Sequence, residues 1–596
     1  MNHRTSRQNL SFAKLKTGGK SMKKAVWLVL VFALGLCMVF ATPEYAVEDF
    51  TGNHGGTFYI SAISDPKGLN PAWASETSTT DITNIMFDML LALDANGAFR
   101  EEGNIAKSWE TTPDGLGWIF HIRKGITWSD GHPLTAEDVY FTFKEVYFKR
   151  ENNTGSTTDV LRGVDGNLPF IELIDQYTVK IWYSQPYAPG LLTIGLNRPL
   201  PKHIVEPQIQ AGTWGEFWTL DDVDKLVVSG PFIVTEYIPD VRTTLSRNPH
   251  YYRFDKEGKR LPYLDQIMFL SVPSQDVARL KFEAGETDHY GMRPQDYLDL
   301  KPREAELNIT VGIQGPDWGT NHLALNFNAK DPVKAEWFRN VHFRRALSYL
   351  VDRDGLVDNV LDGFGFPLYV QISPANAMFH NFEVEDKFPY PFSVEKAKEE
   401  LRKGGFSWNA QNQLIDAKGN LVRFVMNTNA GNTNRERTGV ILADNFSLVG
   451  IEAIFTPMDF NNMVQNMTAS GDWEAILIGF TGTLDPNGGS NVWTIQGGLH
   501  YWNFHPDTAD FIDRDKWHMP YYEWKIGELY RDQRGATVYE ERRDMFYEVQ
   551  ELTAEYMPII HTYTTMLLFG RQNRLMNHQP GSNSSWGWNL WALYKN

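Results

Sequence analysis

One cysteine occurs in 596 residues, and it is Cys37, inside an apolar stretch near the start. Everything after it therefore lacks a disulfide, a thiolate metal site and a cysteine nucleophile, and its stability must come from burial. The sequence also lacks HExxH, a Walker A phosphate loop, a GxSxG elbow and a paired CxxC. That removes the most readable metalloprotease, nucleotide-hydrolase, esterase and thiol-redox chemistries. Asp352-Arg353-Asp354-Gly355 has the opening of a calcium loop without its later ligands, and reads as an interhelical turn. Positive charge is scarce too. The first 41 residues hold seven of the 56 Lys and Arg and none of the 73 Asp and Glu, which leaves 49 basic against 73 acidic residues. A chain so acidic repels phosphate backbones and anionic lipid surfaces, so no nucleic-acid partner is expected.

The first segment reads as export machinery. Lys14, Lys16, Lys20, Lys23 and Lys24 precede an uncharged apolar run from Ala25 to Ala41, and Val39-Phe40-Ala41 fits the small-residue rule for cleavage. Residues 1–41 are thus expected to be a signal peptide, placing the remainder in the periplasm or on the outer face of the cell envelope. The run is long enough to leave a retained anchor open. Cys37 leaves lipidation open, although Leu36 before it is a poor fit.

A chain of 596 residues with 42% hydrophobic content exceeds what one core holds and predicts at least two lobes. Trp118, Phe120 and Ile122 alternate with Ile119, His121 and Arg123, the period of a strand with one buried face. Ser129, Asp130, Gly131 and Pro133 then reverse the chain. Thr135, three residues before Asp138, predicts a capping box at a helix start. Turn and cap roles account for both acids without catalysis. Beyond about Gly312, amphipathic helices over 394–401 and 439–448 alternate with strands such as Ala475–Phe480, as an α/β lobe requires.

Trp118–Phe143 is accompanied by Gly56-Thr57-Phe58, Leu69-Asn70-Pro71, Ala106 with Ser108-Trp109, Gly230-Pro231-Phe232, Arg247-Asn248-Pro249 with Tyr251, Phe343-Arg344 with Ala346-Leu347, and Asp352-Arg353. In this order and rough spacing they closely resemble the extracellular solute-binding proteins of ABC importers, of the large oligopeptide/dipeptide type, over most of the mature chain. The resemblance implies an α/β bilobal fold, periplasmic binding protein-like, with an extra domain inserted in the first lobe. It divides the chain into lobe I at 42–89, the inserted domain at 90–205, lobe I again at 206–312, lobe II at 313–530, and a return to lobe I at 531–596. The helix over 539–556 is expected to make that return.

The function so implied is capture of an oligopeptide-sized solute between the lobes and its delivery to a membrane permease. The implied protein is a monomer with no cofactor, no metal and no covalent chemistry. Peptide-binding relatives carry a Gly-Trp-Thr-Gly-Asp-like stretch whose aspartate pairs with the peptide's amino terminus. Here Gly479-Phe480-Thr481-Gly482-Thr483 puts Thr483 at that place, and a hydroxyl does not neutralise a buried ammonium. Asp485 reads first as the cap of the turn before Pro486, with a substitute ammonium anchor as the alternative. Trp73, Trp318, Trp493 and Trp502 are candidates to stack on a solute or to pack in the lobes. Asn321 and His322, beside Trp318, are candidates for reading an extended ligand through main-chain and amide groups. His322 lacks a second metal ligand at helical spacing. With Thr483 in place of the acid and many indoles, an oligosaccharide ligand stands beside the peptide, and a nickel chelate is a third choice. A secreted glycan-active enzyme, with two carboxylates facing one cleft, and a receptor-coupled sensor are the alternatives from other classes.

Overall fold

Strand alternation sets the frame. The computed structural model describes residues 43–154, 156–581 and 588–596, with Glu44–Asn596 forming one unit. The export segment, Cys37 and Trp586 lie outside the described residues.

In the first lobe, strands Phe232–Ile238, Arg242–Arg247, Gln266–Ser271, Thr57–Ala62, His289–Met292, Tyr563–Gln572 and Ile309–Pro316 lie side by side in that order, and Gly365–Pro367 pairs with Tyr563–Gln572. Register aligns Val234, Leu245, Ile267 and Phe58 across four neighbouring strands. All four are fully buried, so a one-residue slip in any strand would expose its apolar set. Gly117–Ile122 is the predicted strand. It pairs with Ala106–Thr111 and Thr178–Trp182 in a four-stranded antiparallel sheet whose outer strand is Phe170–Asp175. Phe120 faces Val179, and both join the same continuous core as Phe58, so the segment around residues 90–205 is fused to the first lobe through apolar packing. The capping box forms as expected. Asp138 Oδ2 accepts from Thr135 N at 2.9 Å, and Asp130 accepts from His132 N at 2.9 Å and pairs with His203 at 2.7 Å.

The second lobe has a five-stranded sheet in the order Glu452–Met458, Arg423–Asn429, Ala475–Phe480, Thr320–Leu325 and Ile559–His561. Ala475–Phe480 is central and its Ala-Ile-Leu-Ile run is buried on both faces, which is why it reads as apolar throughout rather than alternating.

Two strands pass between the sheets. Ile309–Pro316 leads into Thr320–Leu325, and Ile559–His561 leads into Tyr563–Gln572, with each pair running antiparallel within its own sheet. Asp317 N donates to Thr565 O at 2.7 Å, and Thr562 N donates to Asn321 O at 2.9 Å, so the crossings are tied to each other. This is a hinge of two short segments. The return to the first lobe therefore comes at His561–Tyr563, later than the pattern predicts. Helix Tyr539–Tyr556 packs Phe546 and Val549 into the second lobe's core and does not recross. Amphipathicity specified that the helix is half buried, but not against which lobe.

Candidate functional site: the cleft between the lobes

The lobes touch at both ends of the cleft. At one end Thr433 N and Arg293 Nη1 bond Gln275 Oε1 and Thr433 Oγ1, at 3.0 and 2.7 Å, and Asn461 Nδ2 reaches Asp65 O at 3.2 Å. At the other, the loop following strand Ala475–Phe480 docks on the inserted domain, with Asn487 Nδ2 to Tyr187 Oη at 3.1 Å and Asn491 Nδ2 to Ser156 Oγ at 2.9 Å. Arg534 adds bonds to Arg162 O and Asp159 O at 2.8 and 3.1 Å.

Two cavities lie between these contacts, both lined from both lobes. The first, about 330 Å³, has Ser61, Asp65, Ser78, Asp81 and Thr243 on the first-lobe side and Asn429, Asn432, Arg435 and Phe460 on the other. The second, about 270 Å³, has Ala74, Ser75 and Thr80 facing Trp318, Gln371, Asn376, Phe480, Thr483, Trp493 and Tyr530. The opening residues of helix Thr77–Met86 serve both. No Asp, Glu, Lys, Arg or His lines the second cavity among the described residues. The amide of Gln371 is buried on its wall, interacting with the Tyr530 hydroxyl and retaining hydrogen-bonding capacity beyond it. That spare capacity is what a polar, uncharged solute recovers.

Of the residues singled out from sequence, Trp318, Thr483 and Trp493 come together around this second cavity. The others do not line it. Trp502 is fully buried, donating from Nε1 to Glu523 Oε1 at 2.9 Å, and packs 5.4 Å from Trp493 as core. His322 is also fully buried. Its Nε2 meets Tyr501 Oη at 2.6 Å, and burial holds its imidazole neutral, well below its ordinary value. Asp485 is clamped in a fork by Arg542, at 2.5 and 2.6 Å, while its Oδ1 caps the turn at Asn487 N, 2.8 Å. Its charge is already matched, so it is not a free ammonium anchor. Trp73 packs against the first lobe's core beside Gly215. Asn321 acts one step back from the cleft, since its Oδ1 accepts from Arg435 Nε at 3.0 Å.

Sequence reasoning missed Asp81, Gln371, Arg435 and Tyr530. Burial pushes the Asp81 carboxyl up to about 7, and burial is also the main influence lowering the Arg435 guanidinium, against which Tyr563, Tyr501 and Asp317 act. Asp81 lies on helix Thr77–Met86, just beyond the Pro-, Gly- and Ser-rich stretch 64–79, and nothing in its local sequence marks it as unpaired. Arg435 sits in Asn-Arg-Glu-Arg, which reads as solvated surface.

The family model for bacterial extracellular solute-binding proteins, family 5, matches residues 101–500. The chain belongs to this family. Family 5 proteins are the solute-binding components of ABC transporters, and the two-crossing hinge with a lined cleft is what that task requires. A probable ABC transporter-binding protein of Deinococcus radiodurans is 26% identical over 590 residues, covering 94% of this chain and 97% of its own. Among solved structures, the oligopeptide-binding protein AppA of Bacillus subtilis, in complex with a nonapeptide, superposes with a TM-score of 0.75 at 21% identity, over 92% of this chain and 100% of its own. The periplasmic binding protein MelB of Agrobacterium fabrum C58, in complex with stachyose, gives 0.76 at 19% identity, over 92% and 86%. Like these two, this family 5 member is bilobal. No helix among its described residues is long and apolar enough to cross a membrane.

Proposed function

We propose that the protein captures an oligopeptide-sized solute in the cleft between its lobes, outside the cytoplasmic membrane, and presents it to an ABC permease for import, breaking no bond. The observation that carries this reading is the pair of cavities, each walled by both lobes, beside a hinge of two crossings. A solute that touches both walls stabilises the closed form by its differential affinity for it. The nonapeptide in the Bacillus subtilis structure supports a peptide-sized ligand.

A second reading within the same function is an oligosaccharide. It is favoured by the uncharged second cavity, with Trp318, Phe480, Trp493 and Tyr530 offering ring faces and Gln371 an amide with spare hydrogen-bonding capacity, and by the stachyose in the Agrobacterium structure. Glycan cleavage is disfavoured there, because no carboxylate among the described residues lines that cavity.

Thermal unfolding against panels of peptides and oligosaccharides tests both, since a ligand bound only by the folded state raises the transition in proportion to its saturation. Stabilisation by intact peptides supports the first reading and by intact oligosaccharides the second. Appearance of cleaved products would replace both with an enzyme.

A further inference from the structure

Three charged side chains line the first cavity, and they differ in what already satisfies them. Asp65 is fully engaged: Oδ2 accepts from Tyr237 Oη and Asp240 N, both at 2.8 Å, and Oδ1 accepts from Ser271 Oγ at 2.5 Å. Arg435 donates from Nε and Nη1 to the amide oxygens of Asn321 and Asn429, each at 3.0 Å. Those acceptors orient the guanidinium but do not cancel its charge, and no carboxylate lies within ion-pair distance of it among the described residues. Asp317, the acid that acts on it through space, accepts instead from Gly319 N at 2.9 Å. Room for the guanidinium is kept by Gly479, where an added Cβ would collide with Nη2.

Asp81, on helix Thr77–Met86, has neither a hydrogen-bond nor an ion-pair partner among the described residues, although it faces the same space. On its wall, Ser61 Oγ and Ser78 Oγ are buried and unpartnered. The first lobe thus presents an unmatched carboxylate with two idle hydroxyls, and the second lobe presents an unmatched cation. Unpaired charge in a poorly solvated cavity is costly, and each would have been paired within the protein had folding alone selected it.

We propose that Asp81 and Arg435 receive the two ends of a zwitterion, the ammonium on Asp81 and the carboxylate on Arg435, so that a free amino acid or short peptide bridges the lobes through its charges. This rests on the solute-receptor reading and names its ligand class. A cation alone would leave Arg435 unmatched, and an anion alone would leave Asp81 either ionised without a counter-charge or protonated without an acceptor. Because one charge stands on each lobe, both are matched only when the lobes are together, which couples recognition to closure. The ammonium site has in effect moved from the position of Thr483, on the second lobe, to the first helix of the first lobe. Asp81 avoids its cost in the empty cleft by taking a proton near neutrality. Binding of an ammonium expels that proton, and the charged groups facing it in the cavity are Asp65, already hydrogen-bonded, and Arg435.

The test is calorimetric titration of the purified protein with a library of di- and tripeptides bearing free ends, the same library N-acetylated or C-amidated, free amino acids, and stachyose. The expected result is binding of one or more free-ended zwitterions, weakened at least about 30-fold by capping either end. Asp81→Asn, at a side chain with no partner to lose, weakens free-ended ligands by about 10-fold or more and leaves N-acetylated ones unchanged. At pH 6, titrations in buffers of different ionisation enthalpy show proton release in the native protein and none in Asp81→Asn. Arg435→Lys, which keeps the charge and loses the fork, weakens C-amidated ligands less than free-ended ones. Equal affinity of capped and free ligands, unchanged affinity of Asp81→Asn, or binding of stachyose with no zwitterion bound would overturn the proposal. In the stachyose case the receptor reading survives, whereas release of cleaved products would remove that reading as well.

Discussion

The two cavities share the opening of helix Thr77–Met86 and yet differ in how the protein treats charge near them. Next to the second, the one nearby acid in the loop, Asp485, is turned away and neutralised by Arg542, leaving a wall of aromatic, amide and hydroxyl groups. In the first, Asp81 and Arg435 are left without a counter-charge. The difference teaches that an acid in a binding loop is informative only once its partner is known. Asp485 stood as an anchor or a turn cap and is a cap braced by Arg542, while Asp81, which nothing in the sequence marked, is unmatched.

The largest effect should separate packing from binding among the aromatics. Trp502→Ala empties a fully buried site and strands Glu523, so urea denaturation should show a loss of about 4 kcal/mol. Trp318→Ala, on the half-buried cavity wall, should cost under about 1 kcal/mol in stability while weakening any ligand that occupies the second cavity. Equal losses in the two variants would erase the distinction between core and wall.

Breaking the Asp485 brace comes next. Arg542→Met leaves a largely buried carboxylate uncompensated and should cost about 3 kcal/mol, much of it recovered in the Asp485→Asn, Arg542→Met double variant. A negligible loss in the single variant would return Asp485 to the pool of free acids.

Asp81 should behave oppositely to Asp485. Its folded pKa, about 7, lies above its unfolded value near 3.8. At pH 8 the group is ionised in both states and the burial cost is present in full. As pH falls through 7, the folded form takes up a proton that the unfolded chain lacks, and the cost is progressively relieved down to about pH 4. Asp81→Asn should therefore stabilise the ligand-free protein at pH 8 by about 2 kcal/mol, a figure reduced from the full shift because the carboxyl keeps some solvent contact. The gain should shrink as the pH is lowered to 4, as measured by denaturation at each pH. A destabilised variant at pH 8 would show that the carboxylate is matched after all.

The smallest change tests the neutral cavity directly. Thr483→Asp places a carboxylate where the second cavity has none, and should weaken neutral oligosaccharides about 10-fold while leaving zwitterions held by Asp81 and Arg435 in the first cavity unchanged. Unchanged oligosaccharide binding would remove that loop from ligand recognition, and a gain for free-ended peptides would return the ammonium site to it.

Much of the frame was legible because it is written in local pattern. The alternation of Gly117–Ile122, the Thr135 to Asp138 spacing and the apolar run Ala475–Phe480 each specify their own conformation. The lobe that receives helix Tyr539–Tyr556 was not legible, since a half-buried stripe carries no address. For the same reason flanking a Gly-rich loop made Trp493 and Trp502 the stronger candidates from sequence, whereas the tertiary structure buries Trp502 against Glu523 as core and sets Trp318 beside Trp493 on a cavity wall. Asp81 and Arg435 escaped because a missing partner is a property of three-dimensional neighbours, and no spacing in the sequence records it.

Small-angle X-ray scattering tests enclosure of a solute most directly. The account predicts that the ligand giving the largest thermal stabilisation also reduces the radius of gyration of the protein, as the lobes draw together about the crossings at Pro316–Thr320 and His561–Tyr563. Saturating ligand that leaves the scattering curve unchanged, with the lobes of the free protein as far apart as before, would contradict it.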